Sequence, residues 1–228
     1  MPLRSIINTA RTLSYYTRLQ ETTANNLANV STAGFKGDRI TARQAAGDPH
    51  PVPVQSIDLR QGTLRDTGRP FDLALKGDGF LVVQTPQGER LTRGGSLGIG
   101  NDGTLVDNHG DPILGTGGPI NVSGRHVEIS TDGTVSVDGK DVGQLRLETV
   151  ADPSTLTKEG AGRFIAGAAT QSASGVTVAQ GALEDANVDP LLGTVDLIMI
   201  QRAYASNLDV LKTMDGVMGT VTNDIGRV

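Results

Sequence analysis

Apolar positions at the two ends of the chain recur at alternating intervals of three and four residues. At the start these positions are Leu3, Ile6, Ala10, Leu13, Thr17, Gln20, Ala24 and Leu27. This spacing lays one seam along a helix. The stretch from Leu3 to Val30 holds no glycine, and as a helix it extends about 40 Å at 1.5 Å per residue. Ser31-Thr32-Ala33-Gly34 is expected to stop it, with Gly34 in the left-handed conformation that ends many helices. Near the other end, Asp189 is a helix-capping residue type and Pro190 suits a first helical turn. Beyond them Leu197, Ile200, Tyr204, Asn207, Leu211, Met214, Met218, Val221 and Ile225 keep the same alternation. That run is long enough for a coiled-coil seam, and Asn207 is a polar interruption of the kind that fixes register.

Between the ends the helical period disappears. The stretch 45–54 holds Gly47, Pro49, Pro51 and Pro53 and reads as linker. Short β-type runs follow at Leu73–Leu75, Phe80–Gln84, Thr104–Val106, Val127–Ser130, Thr134–Val137 and Gln144–Thr149. Asp-Gly pairs at 102–103, 132–133 and 138–139 accept the positive φ that tight hairpins demand, and 128–137 is the clearest hairpin signal. The resulting fold class is α+β. An N-terminal helix spans 1–34, an extended linker 35–69 and a central all-β domain 70–150. A Gly/Ala/Ser-rich extended return spans 151–188 and a C-terminal helix 189–228. The β segment is small for covering two such helices, so the helices are expected to pair as a coiled-coil-like layer and to meet neighbouring copies.

Composition narrows the function. Hydrophobic residues make up 37% and aromatics 3%, and there are 30 glycines. This describes a turn-rich chain with a modest core, some of whose apolar surface awaits assembly. The net charge of −5 gives no reason to expect nucleic acid. Cysteine is absent, which excludes disulfides and thiolate chemistry. No run reaches the roughly 20 apolar residues of a membrane span. The N-terminus, with Arg4, Arg11 and Arg18, lacks the compact apolar segment of a cleaved signal peptide.

Catalytic patterns are weak. Gly98-Ile99-Gly100-Asn101-Asp102-Gly103 matches G-x-G-x-x-G, but β-type Thr104-Leu105-Val106 follows where a dinucleotide site needs a helix. His50, His109 and His126 are far apart, no G-x-S-x-G elbow occurs, and the Asp-Gly pairs fit turns better than a calcium loop. No enzyme activity, metal or cofactor is expected.

One stretch departs from generic composition. Ala24-Asn25-Asn26-Leu27-Ala28-Asn29 through Gly34-Phe35-Lys36 ends a helix with three asparagines, although Asn is a poor helix-interior residue. It resembles the signature of the bacterial flagellar rod and hook family. Gln61-Gly62-Thr63-Leu64, Gly77-Asp78-Gly79-Phe80, Asp102-Gly103-Thr104-Leu105 and Asp132-Gly133-Thr134-Val135 are similar to that family's central domain. Gln180–Glu184, Ala186–Pro190 and Gln201-Arg202-Ala203-Tyr204 are similar to its approach to, and passage along, the last helix. The resemblance spans nearly the whole chain.

It implies a non-catalytic rod subunit of the flagellar basal body, closer in length and central pattern to the proximal-rod member, with the distal-rod type as alternative. It also implies export by the flagellar type III apparatus without signal cleavage. The implied partners are other copies, neighbouring rod proteins and that apparatus, with no nucleic acid and no membrane insertion. The candidate assembly residues are Leu3, Ile6, Leu13, Asn25, Asn26, Leu27, Asn29 and Phe35 at one end. At the other they are Leu197, Ile200, Tyr204, Asn207, Leu211, Met214 and Met218. The asparagines are expected to hydrogen-bond backbone or a neighbour. Two other classes compete: a carbohydrate-binding β module, disfavoured by the shortage of aromatics, and an NAD-dependent oxidoreductase built on Gly98–Gly103.

Overall fold

A computed structural model describes the backbone of residues 2–43 and 52–225, and the side chains of 6–41, 43 and 52–219. Two long helices, α1 (Pro2–Ala28) and α2 (Pro190–Ile225), bracket a series of short strands. The chain divides into two compact units. One holds both helices and residues 38–56; the other holds residues 29–37 and 57–188.

In the first unit α1 packs along α2. Leu27 Cδ1 lies 3.9 Å from where a Cβ on Gly193 would stand, and Ile6 shares a groove with Met214 and Met218. The helices are therefore antiparallel, and this register brings Leu13 level with Asn207 and Tyr16 with Tyr204. α2 starts where its sequence says it should: the Asp189 carboxylate accepts from the Leu191 and Leu192 amides at 2.8 and 3.1 Å. Strands Asp38–Arg43 and Val52–Ile57 pair as a ladder, so these parts of the expected linker are ordered strand. The Pro-rich linker residues 44–51 lie outside the described residues.

The second unit is built on a six-stranded antiparallel sheet. Its order is Leu156–Gly160, Arg163–Ala166, Gly88–Thr92, Phe80–Thr85, Leu147–Val150, Thr170–Ser172. Strand Phe80–Thr85 is buried on both faces, and its period of two sorts its side chains. Leu81 and Val83 join one core cluster with Leu105, Ile113, Val122 and Val135. Phe80 and Val82 join another with Leu91 and Phe164, where the two phenylalanine rings meet edge-on at 5.6 Å.

The Asp-Gly turns form as the sequence predicts. Val127–Ile129 pairs with Thr134–Val137, and Glu128 stands opposite Ser136. Asp138 and Gly139, with φ of 50° and 80°, make the two-residue turn between Val137 and Lys140. Gly98–Ile99 pairs with Leu105–Val106 across a longer loop, residues 100–104, that holds Asp102-Gly103. The glycine-rich stretch is thus a hairpin with no helix behind it, and the geometry a pyrophosphate needs is missing.

Two expectations are corrected. Residues 151–188 are not an extended return. They supply three strands of the six-stranded sheet, and two more that pair Thr177–Gln180 with Leu73–Lys76 and Ala182–Glu184 with Leu64–Asp66. Gly34 does not end α1, which stops at Ala28. Its φ of +69° serves a close backbone approach, since a Cβ there would lie 2.3 Å from the Arg93 carbonyl oxygen.

Candidate assembly site

Among the described residues the helix unit has no fully buried side chain. The half-buried positions of α2 are Leu197, Ile200, Tyr204, Asn207, Leu211, Met214 and Met218, joined by Gly193, Ala203 and Leu208. This is the seam that the spacing predicts. On α1 the half-buried positions include Ile6, Leu13, Gln20 and Leu27, interleaved with Thr9, Tyr16 and Thr23. The expected Ala10, Thr17 and Ala24 are exposed. Two seams sharing every seventh residue satisfy the same alternation, and the bulk of Tyr16 decides between them. The side chains of Leu3, Val221 and Ile225 lie outside the described residues.

Asn207 lies in the seam, and its amide donates to the Ala203 carbonyl of its own helix at 2.8 Å. Its donor is therefore partnered within its own helix. Asn26 uses both ends of its amide on one residue: Nδ2 donates to the Asp38 carbonyl at 2.8 Å, and Oδ1 accepts from the Asp38 amide at 2.9 Å. A side chain here imitates a strand partner at the start of Asp38–Arg43. Asn25 is exposed and Asn29 half-buried. Phe35 is buried in the β unit, with the Lys158 ammonium 4.5 Å from its ring centre, so it is core and not a contact surface.

The motif segments that lie far apart in sequence meet inside the β unit. Lys36, Arg93 and Glu184 are each no more than 5% exposed. Lys36 Nζ donates to Glu184 Oε1 at 2.6 Å and to the Arg60 carbonyl at 2.8 Å. Arg93 donates through Nε and a terminal nitrogen to Glu184 Oε2 at 3.0 and 2.7 Å. Its other terminal nitrogen reaches the Gly77 and Gly79 carbonyls at 2.7 and 2.6 Å. The Gly62 amide completes the set on Glu184 Oε1 at 2.9 Å.

Next to this knot, Asn187 accepts from the Gly37 amide at 2.7 Å and donates to the Asp58 carbonyl at 2.7 Å. Burial pushes the Lys36 ammonium below its usual pKa, opposed by its bond to Glu184. The geometry explains the motifs: Lys36, Gly62, Gly77, Gly79, Glu184 and Asn187 clamp the segment that follows α1 to the segment that precedes α2. Sequence reasoning flagged most of these positions only by resemblance and missed Arg93. Arg93 and its buried partner Glu184 are 91 residues apart, and such a separation leaves no local pattern.

The knot's charges are mutually satisfied, and among the described residues no group of three or more His, Asp or Glu is placed to hold a metal. No described helix is long and apolar enough to cross a membrane. The fold is a β body with two buried apolar clusters and a helix pair that buries no described side chain fully. Sequence comparisons supply the family. Residues 9–36 match the family described as flagella basal body rod protein. Residues 74–137 match the flagellar hook protein FlgE/F/G D1 domain, and 179–225 the flagellar basal body rod FlgEFG protein C-terminal region.

The chain is 36% identical over 209 residues to the flagellar basal-body rod protein FlgF of Caulobacter vibrioides, covering 84% of each chain. It is 32% identical over 222 residues to FlgF of Salmonella typhimurium, covering 86% and 88%. It is also 30% identical over 260 residues to FlgG of Bacillus subtilis, covering 97% and 98%. The chain belongs to the flagellar basal-body rod protein family, whose members matched here are structural proteins and not enzymes.

Proposed function

We propose that this chain is an FlgF-like subunit of the flagellar basal-body rod, at the proximal end, and that it polymerises helically through its terminal helices. In this reading α1 and α2 form a coiled-coil-like inner layer that lines the export channel and carries torque. The β unit is the outward body. The subunit leaves the cytoplasm through the flagellar type III apparatus without signal cleavage and joins copies of itself and neighbouring rod proteins.

The supporting observation is the contrast in burial. The β unit buries two apolar clusters, whereas the aligned seams of α1 and α2 bury no described side chain fully. Long helices with so little core are marginal in water, and stacking against further helices completes them.

Substituting Leu211→Asp tests this. A carboxylate in the seam is expected to abolish rod assembly and motility while the purified β unit melts as in wild type. Normal rods and swimming from the Leu211→Asp chain would sink the seam assignment. An FlgG-like distal-rod role is the second reading, favoured by the near-complete coverage of the Bacillus FlgG chain. Complementation of strains lacking one or the other rod protein separates the two.

A further inference from the structure

The arginines of the β unit follow a rule with one exception. Between residues 57 and 188 the chain carries eight, and seven of them make ion pairs with its own carboxylates. Arg125 alone has none among the described residues. It lines a cleft of about 640 Å³, within the roughly 300–1,000 Å³ of small-ligand sites. His126 and Glu128 line the same cleft, and their side chains are also exposed and without a polar partner among the described residues. Pro70, Phe71, Ile99 and Val127 make the apolar part of the lining. The walls are fixed from behind. Gln180 Nε2 donates to the Pro70 and Val127 carbonyls at 2.9 and 3.0 Å, and its Oε1 accepts from the Ile129 amide at 3.1 Å. The Asp138 carboxylate accepts from the Arg125 and His126 amides at 3.3 and 3.0 Å. The backbone that carries both side chains is therefore held while the side chains stay free. Gly124 lets this turn close, since a Cβ there would lie 2.1 Å from Val137 Cγ1.

We infer that this cleft binds the carboxyl-terminal end of a peptide whose last side chain is apolar, with the carboxylate on Arg125. A guanidinium presents its N–H donors as a planar fork that fits a carboxylate, and every other arginine of the unit already spends that fork on an internal acid. The imidazole of His126 supplies a further N–H. Glu128 decides which anion enters. Its charge in the same cleft repels the second charge of a phosphate. It also accepts a hydrogen bond from a peptide N–H or an ammonium group. Phe71 and Ile99 give an apolar side chain its contact, and Ile99 is 47% exposed in the empty cleft. A cation, an acceptor and an apolar wall in one cleft are the complement of an amino-acid residue at a chain end. The cleft lies wholly in the β unit and uses no residue of α1 or α2, so the inference stands apart from the rod-subunit reading.

The test titrates the full chain with acetyl-alanyl-leucine and with its carboxyl-terminal amide, followed by calorimetry and by the methyl NMR signal of Ile99. The free acid is expected to bind saturably and to move that signal. The amide is expected to bind about tenfold more weakly, because the charge-assisted pairing is lost. Arg125→Ala should show the same loss for the free acid, and Arg125→Lys a smaller one. Arg65→Ala removes the same charge from an exposed ion pair outside the cleft and should change nothing. Ile99→Asp should also abolish binding. Arg125, Arg65 and Ile99 are exposed, so the β-unit melt is expected to stay at the wild-type value, and Ile99→Ser serves if Ile99→Asp shifts it. Absence of saturable binding overturns the inference. So do equal affinities for acid and amide, and a folded Arg125→Ala chain that binds like the wild type. Inorganic phosphate that displaces the peptide as well as the free acid does would reduce the cleft to a general anion patch and overturn it too. Unblocked alanyl-leucine separates the two sources of such a carboxylate. Tighter binding than the acetylated form, lost in Glu128→Gln, marks a free short peptide, and equal or weaker binding marks the end of a longer chain; both support the inference. None of these outcomes bears on rod assembly, which Leu211→Asp tests separately.

Discussion

The two units of this chain solve the same problem in opposite ways. The β unit buries two apolar clusters, and the Lys36–Arg93–Glu184 knot is buried with several partners for each charge. The helix unit is longer in its elements and poorer in its core, with every described side chain at least partly in water. The difference teaches where each kind of stability comes from. Strands 2 to 6 residues long persist because loops from the whole length of the chain lock them. Helices of 27 and 36 residues persist alone only weakly and gain most from neighbours. One part is finished on folding, the other on assembly.

The sharpest way to break the comparison is to damage the finished part. Glu184→Ala leaves Lys36 and Arg93 buried without their carboxylate. The β unit is expected to lose about 3–5 kcal/mol, the range for removing one partner of a buried ion pair. Urea unfolding followed by a β-unit probe measures this, and a loss below about 1 kcal/mol would show that the knot is not a stability element.

A smaller effect is expected from acid. Burial pushes the Asp107 carboxyl up. Its hydrogen bonds from Arg163 and from the Asp111 and His109 amides outweigh that and hold it below the usual value. A carboxyl whose pKa is lower in the folded chain stabilises fully above its unfolded value of about 3.9, and this contribution fades as pH falls through the folded value. The melting temperature of the wild-type β unit should therefore fall more steeply below pH 4 than that of Asp107→Asn. Parallel acid limbs in the two proteins would refute this.

The smallest effect belongs to the unfinished part. Asn207→Leu adds apolar area to the α1–α2 seam, and helix stability is expected to rise by about 1 kcal/mol. Register should loosen as it does, read as a broader distribution of distances between spin labels on the two helices. A destabilised helix pair would show that the bond to Ala203 matters more than the seam.

How much of this was legible depends on the range of the interactions. The α2 seam could be read because Leu197, Ile200, Leu211 and Met214 are large and the pattern is local. The α1 seam was half legible: Ile6, Leu13 and Leu27 fix the heptad. The intervening Ala10, Thr17 and Ala24 are too small to argue against Thr9, Tyr16 and Thr23, and only packing chooses. The turns at Asp132-Gly133 and Asp138-Gly139 were legible because backbone conformation dictates them. The strands of 151–188 were not, because their place in the sheet is set by partners such as Leu91 and Leu73, not by their own composition. The assembly residues Asn26 and Phe35 were flagged by resemblance. Asn26 bonds backbone as expected, on Asp38, while Phe35 lies in the core.

The bond between Lys36 and Glu184 spans 148 residues of sequence, and that between Gly37 and Asn187 spans 150. Contacts of this separation are the slowest to form, since the loop entropy is spent before they reward it. A chain that emerges N-terminus first carries a complete α1 long before it carries residue 184. The clamp behind that helix can close only when almost all of the chain is present. Completion of the β unit is thus tied in time to the arrival of α2, so the two helices become available as a pair.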